Sequence, residues 1–261
     1  MGIFNRGLFA GDMYKTMDPV RASDGSKSAA MMTSTFMSKA PTLVESFRTA
    51  GVLLEKKGGL GLRAAVYLVV DRSGSMSGYF RDGSVQAFAD RILAAAAQFD
   101  DDGVVPTVFF GSRAHPTKDI VLGQHAGRVA QLHQEFGSMG STNYADAMET
   151  VIRHYRGTNP RVPALVFFQT DGAPDNQSAA EEIIVRSSKL PIFWQFVGFG
   201  HDRFAFLNRL DTLTNRTVDN AGFLAAGFDP AALSDSELYD KLLNEYPSWV
   251  RSAQNVGIVA R

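Results

Sequence analysis

An apolar run over residues 64–70 ends directly in a short polar loop, and this junction limits the possible folds more than any other feature of the sequence. The run, AAVYLVV, is rich in β-branched and aromatic residues and contains no polar position. Such a strand is buried on both faces, which is typical of parallel sheets covered by helices. The loop that follows has the sequence Asp71-Arg72-Ser73-Gly74-Ser75, so polar side chains stand at the carboxyl end of a buried strand.

Apolar runs alternate with amphipathic segments along the rest of the chain. Further strands are predicted at 104–110, 119–122, 164–169, 192–197 and 217–218, and helices at 85–99, 126–136, 144–155, 179–188, 204–210 and 236–243. This alternation predicts an α/β fold, a doubly wound and mostly parallel sheet with helices on both faces. Ligands of such sheets bind at the carboxyl ends of the strands, near a switch in strand order.

The chain of 261 residues divides into four predicted segments. Residues 1–40 are rich in Met, Ser, Thr, Ala and Gly and are expected to form a flexible N-terminal arm. Residues 41–60 are predicted to be a helix and linker, and residues 61–228 the α/β domain. The last segment, 229–261, is expected to be a C-terminal helix and a tail that packs on the domain.

The composition narrows the classes of function. The chain has no cysteine, which excludes thiol catalysis, zinc fingers and iron–sulfur clusters and fits a reducing compartment. A net charge of −1 argues against a general nucleic-acid binder. No apolar stretch is long enough to span a membrane, and no signal peptide is recognised. We therefore expect a cytoplasmic protein that binds neither nucleic acid nor membrane.

Oxygen-bearing side chains follow two of the predicted strands and precede one helix. Asp71, Ser73 and Ser75 stand on alternate residues of the first loop, and Gly74 lets that loop curl. Thr142 precedes the helix predicted at 144–155, and Asp171 directly follows the strand at 164–169. Carboxylate and hydroxyl oxygens suit a hard divalent cation, Mg²⁺ or Mn²⁺, better than zinc. The five side chains predict a metal site at the carboxyl edge of the sheet.

Each of these residues also has an ordinary structural interpretation. The Asp71 loop could be a polar turn that caps the next helix, Thr142 a helix N-cap, and Asp171 part of a turn before a glycine. Asp146 and Asp175 are candidates for groups that support the ligands from behind. The five histidines show no metal-binding spacing, and His125 and His133 are expected at solvated helix positions.

The motifs D-R-S-G-S-M, G-S-T-N and T-D-G in an alternating α/β chain resemble a von Willebrand factor A (vWA) domain, over about residues 60–225. The resemblance implies a Rossmann-like vWA fold with a metal-ion-dependent adhesion site (MIDAS), whose ligands would be Asp71, Ser73, Ser75, Thr142 and Asp171. The segments VYLVVDRSGSMSGYFRDGSVQAFADRIL, FQTDGAPDN, FWQFVGFG and TVDNAGF are similar to the bacterial tellurium-resistance, TerF-like subgroup of these domains.

The resemblance implies a protein-binding module rather than an enzyme. A bound Mg²⁺, or alternatively Mn²⁺ or Ca²⁺, would accept an Asp or Glu carboxylate from another protein, and movement of the Thr142 loop would tune its affinity. The subgroup implies a role in bacterial tellurium resistance or stress response. Two alternatives stay open: a metal-assisted phosphoester hydrolase that uses Asp71 and Asp171, and a structural subunit that partners an ATPase or a phage-like assembly. The hydrolase ranks lower because the sequence offers no nucleotide loop, nucleophile elbow or evident general base.

Overall fold

A computed structural model describes residues 25–261, with side chains from residue 31 onward. It contains six strands: β1 Ala65–Asp71, β2 Val104–Phe110, β3 Lys118–Val121, β4 Ala164–Thr170, β5 Ile192–Phe199 and β6 Ala221–Gly227. They form one sheet in the order β3-β2-β1-β4-β5-β6. All neighbouring pairs are parallel except β2 and β3, which are antiparallel. The predicted doubly wound, mostly parallel α/β fold is confirmed.

Helices cover both faces of this sheet. They are α1 Gly25–Lys39, α2 Val44–Lys56, α3 Ser77–Arg81, α4 Ser84–Ala96, α5 Arg128–Glu135, α6 Tyr144–Gly157, α7 Gln177–Ser187, α8 Ala205–Asp211, α9 Asp235–Leu242 and α10 Tyr246–Asn255. Short 3-10 turns precede α2 and α3, at Pro41–Leu43 and Gly74–Met76. Within residues 25–261, none of the helices is both long enough and apolar enough to cross a lipid bilayer.

The strands divide their side chains between two apolar layers, because successive residues of a strand point to opposite faces. In β1, Tyr67 and Val69 enter one layer, whereas Val66, Leu68 and Val70 enter the other. Helices α6, α7 and α8 close the first layer, and α1, α2, α4, α5, α9 and α10 close the second. Full burial of one such side chain contributes about 1.5–3 kcal/mol, so both layers stabilise the central strands.

The N-terminal region differs from the expected flexible arm over 1–40. Residues 25–39 form α1, and its Met32 and Phe36 are buried in the second layer. The Phe36 ring stacks on that of Phe47 in α2, with ring centroids 4.7 Å apart. Met32 and Phe36 lie four residues apart and so share one helix face, a spacing obscured by the polar composition around them. Residues 1–24, the rest of the expected arm, lie outside the described residues.

The C-terminal segment closes the same layer. The residues expected to form an aromatic tail belong to α10, whose Tyr246 and Trp249 rings pack against Phe193 of β5. Helix α9 begins with a capping box between Ser234 and Glu237 and packs against α2. Side chains also join the two helices, because Ser46 donates a hydrogen bond of 2.5 Å to Asp235. Segments far apart in the sequence therefore share one core.

Candidate metal centre

The candidate site lies where the strand order reverses. The chain continues from β1 to its neighbour β2 on one side, and β4 pairs with β1 on the other side. Asp71 is the last residue of β1, and Asp171 directly follows the last residue of β4. Since β1 and β4 are parallel neighbours, both carboxylates reach the same edge of the sheet at the switch point, as expected for ligand sites in such folds.

Asp71 is a fully buried carboxylate that is held by neutral donors. Its Oδ1 accepts a hydrogen bond of 2.6 Å from the backbone N–H of Ser73, and its Oδ2 accepts one of 2.7 Å from the hydroxyl of Thr170. Within residues 31–261 no Lys, Arg or His forms an ion pair with Asp71. Burial raises the pKa of Asp71 to about 7, because the charged carboxylate is desolvated there without a positive partner in that part of the chain.

Hydroxyl groups connect this loop to the second carboxylate. The Oγ atoms of Ser73 and Ser75 lie 3.1 Å apart, and Ser75 donates a hydrogen bond of 3.0 Å to Oδ1 of Asp171. Burial also raises the pKa of Asp171 above its usual range. The structure thus brings Asp71, Ser73, Ser75 and Asp171 into one chain of contacts.

Thr142 is held through its backbone by Asp175 and has no described hydrogen bond to the other four candidate ligands. Its N–H donates a hydrogen bond of 3.0 Å to Oδ2 of Asp175, and its carbonyl accepts one of 2.9 Å from the N–H of Asp175. Two residues earlier, Gly140 exchanges backbone hydrogen bonds of 3.1 Å with Arg72 and Gly74. The segment that carries Thr142 therefore lies against the first loop, between that loop and the residues after Asp171.

The close approach of these segments requires glycine at position 140. A Cβ on Gly140 would lie 2.5 Å from the backbone nitrogen and 2.8 Å from the Oγ of Ser112, the residue that follows Gly111 after β2. Neither distance leaves room for a side chain. Ser112 in turn accepts a hydrogen bond of 3.1 Å from the N–H of Ser141, which fixes the same segment from the other side.

The capping alternatives do not describe the site. Helix α6 is capped by Asn143, whose side chain accepts a hydrogen bond of 3.2 Å from the N–H of Asp146, so Thr142 is not the N-cap. The turn at Gly74–Met76 and helix α3 begin without a side-chain cap. The hydroxyls of Ser73 and Ser75 face each other and Asp171 instead. These oxygen atoms are not used to satisfy a helix terminus.

The two aspartates considered as supporting groups have different roles. Asp175 forms two hydrogen bonds with Thr142, as described above. Asp146 accepts a hydrogen bond of 2.7 Å from the N–H of Ala114, so it fixes the connection between β2 and β3. Only Asp175 contacts a residue of the candidate ligand set directly.

Two residues that support the candidate site have no clear signal of that role in the sequence. Thr170 was considered only as part of the motif around Asp171, yet it donates to Asp71 and accepts a hydrogen bond of 2.9 Å from the hydroxyl of the buried Tyr144. Arg72 occupies an unspecified position of the D-x-S-x-S pattern, and its side chain is nevertheless only 1% exposed. The buried strand before the motif was the only signal that could have indicated burial of Arg72.

Two histidines are not at the solvated helix positions that we expected. His133 is half-buried, and its Nδ1 accepts a hydrogen bond of 3.2 Å from Nε of Arg72. His125 is 8% exposed, and its Nδ1 lies 2.8 Å from a carboxylate oxygen of Asp90. The partners of both histidines are distant in the chain, so the local sequence does not reveal their burial.

The donor set fits a hard divalent cation. It consists of carboxylate and hydroxyl oxygens, which Mg²⁺ and related ions prefer, and it contains no nitrogen or sulfur ligand. A cation would also supply the positive charge that the buried Asp71 lacks. Within residues 31–261 no group of three or more His, Asp or Glu side chains is placed to hold a metal ion. The candidate set has only two carboxylates, so cation binding would depend on the hydroxyls and on water.

Comparisons with known proteins agree with this architecture. The family model for vWA-TerF-like domains, described as the vWA domain found in the TerF C terminus, matches residues 63–259. An uncharacterized protein of Bacillus subtilis, YcbR, is 37% identical over 216 residues, which cover 81% of this chain and 88% of that protein.

A solved von Willebrand factor type A structure shares the fold at low sequence identity. The von Willebrand factor type A protein of Catenulispora acidiphila superposes with a TM-score of 0.51 and 15% identity. The alignment covers 70% of this chain and 42% of that one, so this chain corresponds to less than half of that structure. The manganese-loaded TRAP protein of Plasmodium vivax aligns with a TM-score of 0.48 and 19% identity, over 69% of this chain and 74% of that one.

The sheet order, the carboxylates at its switch point and the match over residues 63–259 lead to one conclusion. The family match continues through α9 and α10, whose side chains complete the second layer of the core. The chain belongs to the TerF-like group of von Willebrand factor A domains.

Proposed function

We propose that this protein binds a divalent cation of the Mg²⁺ type through Asp71, Ser73, Ser75, Thr142 and Asp171, and that the cation mediates binding to another protein. The observation that carries this proposal is the buried Asp71 carboxylate, which lacks a positive partner within residues 31–261 and is linked through two serine hydroxyls to Asp171. Mn²⁺ and Ca²⁺ are alternative ions for the same oxygen set.

The chain's own residues prepare the site before any ion binds. Thr170 and the N–H of Ser73 fix the two oxygens of Asp71, so this carboxylate needs no rearrangement to face the edge of the sheet. Ser75 lies at the surface and holds Asp171. The backbone contacts of Gly140 and Asp175 keep the Thr142 segment between the 71–75 loop and the residues that follow Asp171. A bound cation would supply the positive charge that attracts an acidic group of another protein.

The proposed partner therefore presents an Asp or Glu side chain. The site lies at an edge formed by loops, and Ser75 and Asp175 are exposed there, so another protein can reach it. We further propose a bacterial, cytoplasmic role in tellurium resistance or a related stress response, which rests on membership of the TerF-like group.

A metal titration tests the first part of the proposal. Mn²⁺ is titrated into the full chain by calorimetry, and wild type is compared with Asp171→Asn and Thr142→Val. We expect one binding site in wild type and markedly weaker binding in both variants, because each loses one oxygen ligand or its charge. Asp240→Asn is the matched control, since it removes an exposed carboxylate of α9 that pairs with Lys57, just after α2, and contacts none of the candidate ligands. Equal binding by all four proteins would reject the site.

A capture experiment tests the second part. Partner binding by the wild-type chain is compared with binding by Asp71→Ala, each with Mg²⁺ and with EDTA. We expect capture only by wild type with the metal present. A partner that binds equally under all four conditions would show that the cation does not mediate the interaction.

A further inference from the structure

Arg72 is a buried arginine without a carboxylate partner in the described part of the chain. Its guanidinium donates four hydrogen bonds, to His133 Nδ1 (3.2 Å), His115 Nε2 (3.1 Å), the His133 carbonyl (3.1 Å) and the Gly137 carbonyl (2.7 Å). The ring centroid of Phe136 lies 5.8 Å from the guanidinium carbon. Two imidazoles and two carbonyls therefore solvate a charge that a carboxylate usually neutralises.

The contacts of Arg72 determine the protonation state of both histidines. Guanidinium nitrogens can only donate, so His133 Nδ1 and His115 Nε2 must accept, and both rings must be neutral. The His133 ring stacks on Phe80 with centroids 4.1 Å apart, and the His115 ring stacks on Phe136 at 4.2 Å. Protonation of either ring would replace the acceptor with a donor and add a second positive charge about 3 Å from the guanidinium.

The same arginine connects the first loop to the Thr142 segment. Its side chain binds the carbonyls of His133 and Gly137, at the end of α5 and just after it. Its own backbone carbonyl accepts the N–H of Gly140 at 3.1 Å. Arg72 therefore forms hydrogen bonds with three residues of the 133–142 segment, while its chain neighbours Asp71 and Ser73 belong to the candidate ligand set.

We propose that Arg72 is a positioning residue that holds the 133–142 segment against the 71–75 loop through neutral His115 and His133. Protonation of these histidines releases the segment and weakens cation binding. This inference rests on the proposed function of the site. It adds that His115 and His133 make the affinity for the cation depend on pH.

The surrounding charges favour the neutral rings. Burial lowers the pKa of His115 and His133, the charge of Arg72 lowers both further, and Arg113 also lowers that of His115. The nearby acids are engaged elsewhere: Glu135 of α5 pairs with Lys118 of β3 at 2.9 Å, and Asp146 of α6 accepts the N–H of Ala114. Helix α3 contributes the Phe80 ring to His133, with Arg81 and Asp82 exposed beside it.

The pH dependence has a definite sign. Both rings have a lower pKa when the chain is folded, so the unfolded chain binds these protons more readily. The free energy of unfolding therefore falls as the pH decreases below about 6.5, the ordinary value for histidine.

Nuclear magnetic resonance of the imidazole nitrogens tests the hydrogen bonds without any cation. In the full chain we expect His133 to carry its proton on Nε2 and His115 on Nδ1, and both to titrate below the ordinary histidine value of about 6.5. Arg72→Met should raise both pKa values, because it removes the neighbouring charge. Unchanged pKa values in that variant, or charged rings at pH 7, would overturn the proposal.

Two substitutions of His133 separate positioning from packing. His133→Phe keeps a ring for Phe80 and loses the acceptor, whereas His133→Asn keeps an oxygen near the position of Nδ1 and loses the ring. We expect His133→Phe to weaken Mn²⁺ binding by about 10- to 100-fold at pH 8, and His133→Asn to bind close to wild type. Equal binding by both variants, or a loss only in His133→Asn, would show that the ring serves packing.

The double variant His115→Gln/His133→Asn tests the coupling to pH. It retains both acceptors and cannot be protonated, so its Mn²⁺ affinity should fall less between pH 8 and pH 5.5 than that of wild type. The acid loss that remains reports protonation of the carboxylates. His201→Gln is the control and should keep the wild-type profile. Identical profiles for the double variant and wild type would overturn the coupling.

Hydrogen exchange of the Gly140 amide, measured without cation, tests the role of Arg72 independently of metal binding. A failure of the proposed function can therefore be told apart from a failure of this inference. We expect faster exchange in Arg72→Met and in His133→Phe than in wild type, because the segment loses its attachment. If wild type binds no Mn²⁺, the proposed function fails, and exchange at Gly140 still decides whether Arg72 holds the segment. Unchanged exchange in both variants would reject that role.

Discussion

Two parts of the candidate metal centre are built in different ways. The 71–75 loop continues a buried strand, and its first carboxylate is fixed by the next turn and by Thr170 of the neighbouring strand. The 137–142 segment belongs to no strand or helix of the sheet layers. It is held by Gly140, which bonds to the first loop, and by Asp175 on the other side.

Because of this difference, we expect the 71–75 loop to be required for cation binding and the 137–142 segment to adjust the affinity for the cation. The 71–75 loop is positioned by the pairing of β1 with β2 and β4. Because this pairing extends through the core, disturbing it would lower the free energy of unfolding of the whole domain. The 137–142 segment depends on a few hydrogen bonds to other loops, so it can change position while the sheet stays intact. Substitutions in the 71–75 loop should abolish cation binding, whereas substitutions in the 137–142 segment should only weaken it.

The largest expected effect follows the removal of the buried charge. Asp71→Asn keeps the size of the side chain and an oxygen for the N–H of Ser73, so the fold should remain. Mn²⁺ binding should be lost, because the uncompensated carboxylate is gone. Calorimetry measures Mn²⁺ binding and circular dichroism measures folding, and Asp240→Asn again serves as the control. If Asp71→Asn still bound Mn²⁺, the cation would have to bind elsewhere, and the 71–75 loop would not be required for binding.

An intermediate effect on stability and cation binding is expected at Gly140, where the 137–142 segment contacts the 71–75 loop. The methyl group of Gly140→Ala would lie 2.5 Å from the backbone nitrogen of Ser112, so the segment must shift. We expect a loss of about 1–3 kcal/mol in the free energy of unfolding, together with weaker Mn²⁺ binding. Gly172→Ala is the matched control, since open space surrounds that position. If urea unfolding showed the same stability for Gly140→Ala and Gly172→Ala, the 137–142 segment would not be packed tightly against Ser112.

The smallest effect is expected on the far side of the segment. Asp175→Ala removes the acceptor for the N–H of Thr142 at an exposed position, so the free energy of unfolding should fall by less than about 1 kcal/mol. Exchange of the Thr142 amide should accelerate in this variant. Asp175→Asn keeps an oxygen acceptor and should exchange close to wild type. A global loss of stability in Asp175→Ala would show that the segment is part of the core.

The sheet was largely predictable from the sequence because its central strands are buried on both faces. Such strands appear as continuous apolar runs, and the run predicted at 164–169 differs from the observed β4, Ala164–Thr170, by one residue. The prediction of a strand at 217–218 was wrong, because the last strand, β6, begins at Ala221 and has the sequence AGFLAAG. Its small residues give little hydrophobic signal, so its position had to come from pairing with β5.

The supporting residues were not predictable because their partners are distant in the chain. Arg72 lies 61 residues from His133 and 43 from His115, and no local pattern connects them. Helix α1 was missed for a related reason, since Phe36 is buried only through Phe47 and the rest of the second layer. The five candidate ligands could be proposed from the sequence because each follows a predicted strand or precedes a predicted helix.

The shared core of α2, α9 and α10 sets an order of events during synthesis. One face of the sheet is covered by α6, α7 and α8, which connect consecutive strands. The opposite face stays partly bare until residues 235–255 have left the ribosome, because Tyr246 and Trp249 close it. A nascent chain stalled before those residues would expose apolar surface next to finished strands, the kind of intermediate that chaperones recognise.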